Sequence, residues 1–172
     1  MIPTHRDYAM EEVEKFRQAN FPQRVLEIGA GLNSFEHIFN ANRYICIDNE
    51  SQYKGTSIKM DVHDMTFKDD EFDCVFMCHV AEHFLNPVKA FKEIFRVLKK
   101  GGKVFSITPN DCEHQIIYGD QDHIFVLSPL QWARLLRNCG FKKIISYKQM
   151  SWKEGQIPLS QDYNIITVAE NE

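Results

Sequence analysis

The chain has 172 residues, 44% apolar and 26% charged, with 20 basic against 24 acidic side chains and a net charge of −4. One domain of ordinary globular composition is expected at a length near the typical ~150 residues, which excludes a disordered or fibrous chain. A mildly acidic chain has no global field to draw nucleic acid or an anionic membrane, and no apolar run reaches the ~18 residues of a membrane span.

From Thr4 to Asn20 the pattern is helical, with Met10, Val13 and Phe16 spaced by three on an otherwise charged segment. Early acids and the lack of an apolar core in MIPTHRDYAMEEVEKF mean that no secretory leader is expected. Pro22 ends the helix. Arg24 to Ile28 (RVLEI) is a short buried strand running into Gly29-Ala30-Gly31, and Phe35 to Asn40 a short helix. Tyr44 to Ile47 is a second strand closing on Asp48, and Thr56 to Met60 a third closing on Asp61. Phe72 to Cys78 (FDCVFMC) is nearly all apolar, as a central parallel strand covered on both faces should be.

Asn86-Pro87 opens a helix, with asparagine as cap and proline in the first turn. Val88, Phe91, Ile94, Phe95 and Leu98 are expected on its inner face. Lys99, Lys100 and Gly101-Gly102 are expected to close it, since cations and glycine suit a helix C-terminus. Lys103 to Thr108 (KVFSIT) is a fifth strand stopped by Pro109. Asn110 to Leu127 is a long polar loop. Ser128-Pro129 caps a helix carrying Leu130, Trp132, Ala133, Leu135 and Leu136, which ends at Asn138-Cys139-Gly140. Two strands follow, Lys143 to Gln149 and Asn164 to Ala169, with Ser151 to Gln161 between them. Strands alternating with helices give an α/β fold with a mostly parallel sheet. Residues 1–21 are expected to form an N-terminal helix on a core of residues 22–172, in one domain without repeats or linkers. Five cysteines, an odd number with no CxxC pair, read as reduced thiols of a cytoplasmic protein.

The chemistry collects at strand ends. Gly29 and Gly31 allow a tight turn with positive φ and let backbone approach a ligand closely. Position 34 is serine, so the dinucleotide pattern GxGxxG is incomplete, and an ordinary strand-to-helix turn is the bland alternative. Asp48 lies 17 residues beyond Gly31, where an acid accepts hydrogen bonds from both ribose hydroxyls. In a doubly wound sheet the carboxyl ends of these strands line one edge, and ligands bind there. Cys74 and Cys78 share one face of a buried strand and read as packing. His114 and His123 flank Asp120 and Asp122 in the long loop. Solvated or acceptor-site histidines account for them, and no metal site is expected.

VLEIGAGLNSF, then ICID, then KMDVHDMTFKDDEFDCVFMCHVAEHF resemble a class I S-adenosylmethionine-dependent methyltransferase of the small-molecule, type 11-like kind. KEIFRVLKKGGKVFSITPN and LSPLQWARLLRNCGF are similar to that family's later helix-turn-strand and closing helix, so the likeness covers residues 24–146. It implies a doubly wound, Rossmann-like, seven-stranded sheet, mostly parallel with an antiparallel last strand. It also implies S-adenosyl-L-methionine as cofactor and S-adenosyl-L-homocysteine as product. Carried over by position, Glu27, Gly29, Ala30 and Gly31 would hold the methionine portion. Asp48, with Asn49 after it, would take the ribose hydroxyls. Asp61 would meet the exocyclic amine of adenine, with the backbone of Val62 beside the ring. Cys78 and His79 would offer backbone carbonyl to the amino group. Asn33 stands where a third glycine is usual, which implies a slightly different loop.

Glu82-His83 resembles a pair common in the family's small-molecule members and places His83 near the cofactor. A base is needed only for an acceptor that arrives protonated, and His83, His114, Tyr118 and His123 are the candidates. The expected acceptor is a small molecule, or a sugar or peptide end. No Asn/Asp-Pro-Pro-Tyr tetrapeptide of the DNA-methylating members follows the fourth strand. A non-catalytic S-adenosylmethionine-binding module and a nicotinamide-dependent oxidoreductase share the glycine turn and the ribose acid, and are the alternatives.

Overall fold

A computed structural model describes residues 5–31, 34–49, 57–110, 123–125, 127–149 and 164–172. The first half runs α1 (His5–Asn20), β1 (Arg24–Ile28), α2 (Glu36–Phe39), β2 (Arg43–Asp48), β3 (Ser57–Lys59) and β4 (Phe72–Cys78). A 3-10 turn (Ala81–His83), α3 (Pro87–Val97), β5 (Leu98–Pro109), α4 (Pro129–Asn138), β6 (Lys142–Lys148) and β7 (Asn164–Glu170) follow. The strands form one seven-stranded sheet in the order β3-β2-β1-β4-β5-β7-β6. Strands β1 to β5 pair in parallel, and β7 lies antiparallel between β5 and β6. This is the expected Rossmann-like architecture. Strand order reverses between β1 and β4, and at such a switch point the connections leave in opposite directions and open a crevice.

Side chains alternate across the sheet and build two cores. Leu26, Ile28, Val75 and Met77 face α3 and α4 and pack with Phe91, Ile94, Trp132 and Leu136. Val25, Cys74, Phe76 and Phe105 face α1 and α2 and pack with Val13, Phe16, Phe35 and Phe39. Phe16 stacks on Phe105 with ring centroids 4.5 Å apart. Strand β4 touches both cores, which is why FDCVFMC carries almost no polar residue. The four cysteines among the described residues are free thiols. No described helix is long and apolar enough to cross a membrane.

The caps form as their sequences predict. Asn86 accepts a hydrogen bond from the Lys89 amide at 3.0 Å, and Ser128 and Gln131 complete a capping box on α4. Two expectations are corrected. Val88 is exposed rather than inward-facing. At 100° per residue it falls roughly 130° from the centre of the buried arc formed by Ala90, Phe91, Ile94 and Val97. Lys99 to Gly102 do not close α3, because the strand already begins at Leu98, which pairs with Phe72. The Asn171 side chain closes the helix instead, donating to the carbonyls of Phe95 at 3.1 Å and Leu98 at 2.7 Å. Gly102 serves an irregular stretch of β5: a Cβ there would lie 2.8 Å from the Lys99 carbonyl oxygen. The other described boundaries fall within a residue of expectation. The segment Ser151–Gln161, and most of the loop before α4, lie outside the described residues.

Candidate functional site

The turn after β1 is tied to its neighbours on both sides. Gly29 and Gly31 take φ of +70° and +55°, the left-handed region that glycine enters without a Cβ penalty. The Gly29 amide donates to the Ile47 carbonyl at 2.8 Å, which fastens the turn to β2. A Cβ on Gly29 would overlap both methyls of Val80, one at 2.8 Å, so the turn is pressed against the segment after β4. A Cβ on Gly31 would meet no atom of the described residues within 4 Å. Ala30 between them is buried.

Glu27 lies beneath this turn and is 2% exposed. Its carboxylate accepts from the Ser34 hydroxyl at 2.7 Å, the Tyr44 hydroxyl at 2.9 Å, the Phe35 amide at 3.2 Å and the Cys46 thiol at 3.6 Å. Burial raises its pKa above the ordinary carboxylate value, against the pull of those donors. These bonds join β1 to β2 and to the residues that open α2, so the side chain anchors the loop. Asp48 is buried at the end of β2 and accepts the Gly31 amide at 3.2 Å. Asn49 follows it and is exposed.

Asp61 stands after β3 with its carboxylate in the open. It accepts the His63 amide at 2.8 Å and His63 Nδ1 at 2.6 Å. The His63 amide, and then the His63 ring, hold the Asp61 pKa below the usual carboxylate range. The other ring nitrogen, Nε2, accepts the Asn86 amide at 3.3 Å, which assigns the proton to Nδ1. His63 therefore joins Asp61 to the cap of α3. Sequence reasoning missed it, because its partner Asn86 is 23 residues away. Val62 is buried beside it in the core.

At the end of β4, Cys78 is half-buried and His79 turns the chain with φ +55°, uncommon for a residue with a Cβ. The His79 amide donates to the Ile107 carbonyl at 2.8 Å, and its Nε2 bonds Asn164 Oδ1 at 3.1 Å. Its Nδ1 faces the Glu82 carboxylate at 3.9 Å. Glu82 is 1% exposed. Its backbone carbonyl accepts the Ile124 and Phe125 amides at 2.9 and 3.0 Å. This pins the far end of the long loop over the 3-10 turn and brings the rings of His83 and His123 to a centroid distance of 5.0 Å. His114 and Tyr118 lie outside the described residues. The meeting of His123 with Glu82 and His83 was not expected from sequence. Its only signal is topological, since the two segments follow β4 and β5, which are neighbours in the sheet.

The ends of β1, β2, β3 and β4 thus bring a glycine turn and two strand-end acids to one edge of a seven-stranded sheet whose last strand is antiparallel, the arrangement of class I methyltransferases. The profile of the methyltransferase domain matches residues 26–106. An uncharacterised protein of Methanocaldococcus jannaschii is 35% identical over 147 residues, covering 77% of this chain and 71% of that protein. The sterol 24-C-methyltransferase of Pneumocystis carinii is 31% identical over 145 residues, 74% of this chain but only 37% of that longer protein. The crystal structure of a SAM-dependent methyltransferase from Archaeoglobus fulgidus shares the fold, with a TM-score of 0.76 at 17% identity over 96% of this chain and 94% of that one. The chain belongs to the class I S-adenosylmethionine-dependent methyltransferases. Its cofactor is S-adenosyl-L-methionine and the product S-adenosyl-L-homocysteine.

Proposed function

We propose that the chain methylates a small-molecule acceptor, or a sugar or peptide end, at the edge formed by β1, β2 and β4. The observation that carries this reading is mechanical: the Gly31 amide sits on Asp48 and Gly29 sits against Val80, so three strand ends make one cradle. The cradle fits the cofactor. No described residue fills the space before Gly31, where a ligand can reach the backbone, and two carboxylates at strand ends match hydroxyl and amine donors. In this reading Asp48 accepts the ribose hydroxyls beside Asn49. Asp61, held by His63, accepts the adenine amine above Val62. Gly29, Ala30 and Gly31 border the methionine portion, and the Cys78 and His79 carbonyls face its amino group. Glu27 acts through the loop that it pins.

The bound sulfonium supplies an already activated methyl, whose displacement by the acceptor leaves the electron pair on sulfur. The protein's task is therefore alignment, which can remove roughly 7–11 kcal/mol of barrier. His83 and His123 stand beside the cradle, where an acceptor hydroxyl or thiol would give up its proton. A net charge of −4 and the sequence His79-Val80-Ala81-Glu82 after β4 both favour an acceptor other than nucleic acid.

Calorimetry with S-adenosylhomocysteine tests the cradle. Asp48→Ala is expected to weaken binding at least tenfold, since charge-assisted hydrogen bonds contribute about 1.5–3 kcal/mol each. Asp48→Asn, which keeps one acceptor oxygen, should fall between the two. Wild-type affinity in the alanine variant would remove Asp48 from the site. A screen of hydroxyl, amine, thiol and carboxylate acceptors, read by S-adenosylhomocysteine release, then identifies the acceptor class.

A further inference from the structure

We infer that Glu82, His83 and His123 form a divalent-metal site of the zinc class on the acceptor side of the cofactor edge. One carboxylate and two imidazoles are the donors that hold zinc in catalytic sites, where the remaining position stays open to water or substrate. Their ligand atoms lie within 4.8 Å of one another. Around a tetrahedral zinc with bonds near 2.0–2.1 Å such atoms stand about 3.4 Å apart, so an ion would draw the donors together by up to about 1.4 Å.

The frame behind them is fixed. Glu82 and His83 stand on the 3-10 turn that follows the central strand. His123 is held over that turn by the Ile124 and Phe125 amides on the Glu82 carbonyl. Glu82 is almost fully buried, and attraction between a carboxylate and a cation is strongest where the local dielectric is low. Val80, two residues before Glu82, touches Gly29, so the three donors sit beside the cofactor turn.

A metal there would accept an acceptor hydroxyl, thiol or carboxylate at its open position. It would lower the pKa of a ligated hydroxyl or thiol, which then releases its proton to water and presents an anion to the methyl group. That role rests on the methyl-transfer reading; metal binding itself does not.

Co2+ is a suitable probe, because its visible absorption reports coordination and calorimetry gives its stoichiometry. The reduced full chain is expected to take up one equivalent. His83→Ala and His123→Ala should each weaken uptake at least tenfold, and His37→Ala, which alters an exposed histidine on α2, should leave it unchanged. Circular dichroism checks each fold, and His123→Gln replaces any alanine variant that fails this check. Absence of Co2+ uptake by wild-type protein that binds S-adenosylhomocysteine would overturn the site. So would uptake within twofold of wild type in both histidine variants. Co2+ uptake by a chain that ignores S-adenosylhomocysteine would leave the metal site standing and bring down the methyl-transfer reading.

Discussion

The two glycines of the turn after β1 have different reasons to be glycine. Both take positive φ, which costs a residue with a Cβ roughly 1–2 kcal/mol. Gly29 adds a steric reason, because its missing Cβ is the space that Val80 occupies. A Cβ on Gly31 would touch no described residue. Gly29→Ala is therefore expected to destabilise the fold by about 3 kcal/mol and Gly31→Ala by about 1 kcal/mol. Urea unfolding of the two variants checks the difference, and Val80→Ala should recover about 1 kcal/mol in the Gly29→Ala background but not in the Gly31→Ala background. Equal losses would show that Val80 yields freely. Glu27 makes the complementary point about polar residues. Four protein donors converge on its carboxylate, so it fixes the loop that follows β1.

At the scale of elements, what was legible depended on how far away the partner lies. Asn86-Pro87 and Ser128-Pro129 carry their capping partners within three residues, so both helix starts could be read directly. The end of α3 could not. Lys-Lys-Gly-Gly has the local chemistry of a helix terminus, but the cap comes from Asn171, 73 to 76 residues later, and Leu98 pairs with Phe72. The candidate site divides in the same way. Gly29, Gly31, Asp48 and Asp61 are marked by strand ends, whereas His63 and the approach of His123 to Glu82 depend on contacts across the sheet edge. The two caps make a measurable contrast. Asn86→Ala removes one exposed cap and should cost about 1 kcal/mol. Asn171→Ala strips two carbonyls in a largely buried setting and should cost about 2–3 kcal/mol. Thermal unfolding that ranks Asn86→Ala as the worse variant would show that α3 is held from its N-terminus.

For the molecule as a whole, pH acts at both ends of its range through different groups. On the acid side, the hydrogen bonds from Arg96 hold Glu93 below its ordinary pKa, against burial. That contribution is present above the ordinary carboxylate range and fades as pH falls through the lowered value. The alkaline side draws most on the core between β1, β2 and β4. Burial, opposed by the Ser34 hydroxyl and helped by Glu27, pushes the Cys46 thiol up to about 12. Burial also raises Cys74, and burial with the neighbouring Glu27 carboxylate raises Tyr44. In the unfolded chain a thiol ionises near its ordinary pKa of 9.0, while in the fold it stays protonated. Deprotonation therefore favours the unfolded state, so stability is intact below pH 9 and declines as pH rises toward the folded value. Between pH 8 and about pH 10 the Cys46 and Cys74 thiols should each remove about 1.4 kcal/mol, and Cys139, Tyr44 and Tyr147, all raised by burial, add further shares. Lys15 and Lys143 also carry raised pKa values, but their ordinary value of 10.5 lies above this window. Urea unfolding under reducing conditions at the two pH values measures the loss. Cys74→Ala should be less stable at both, because it opens a cavity, yet lose about 1.4 kcal/mol less than wild type between them. A wild-type stability unchanged over this interval would mean that Cys46 and Cys74 ionise as readily in the folded sheet as in the open chain.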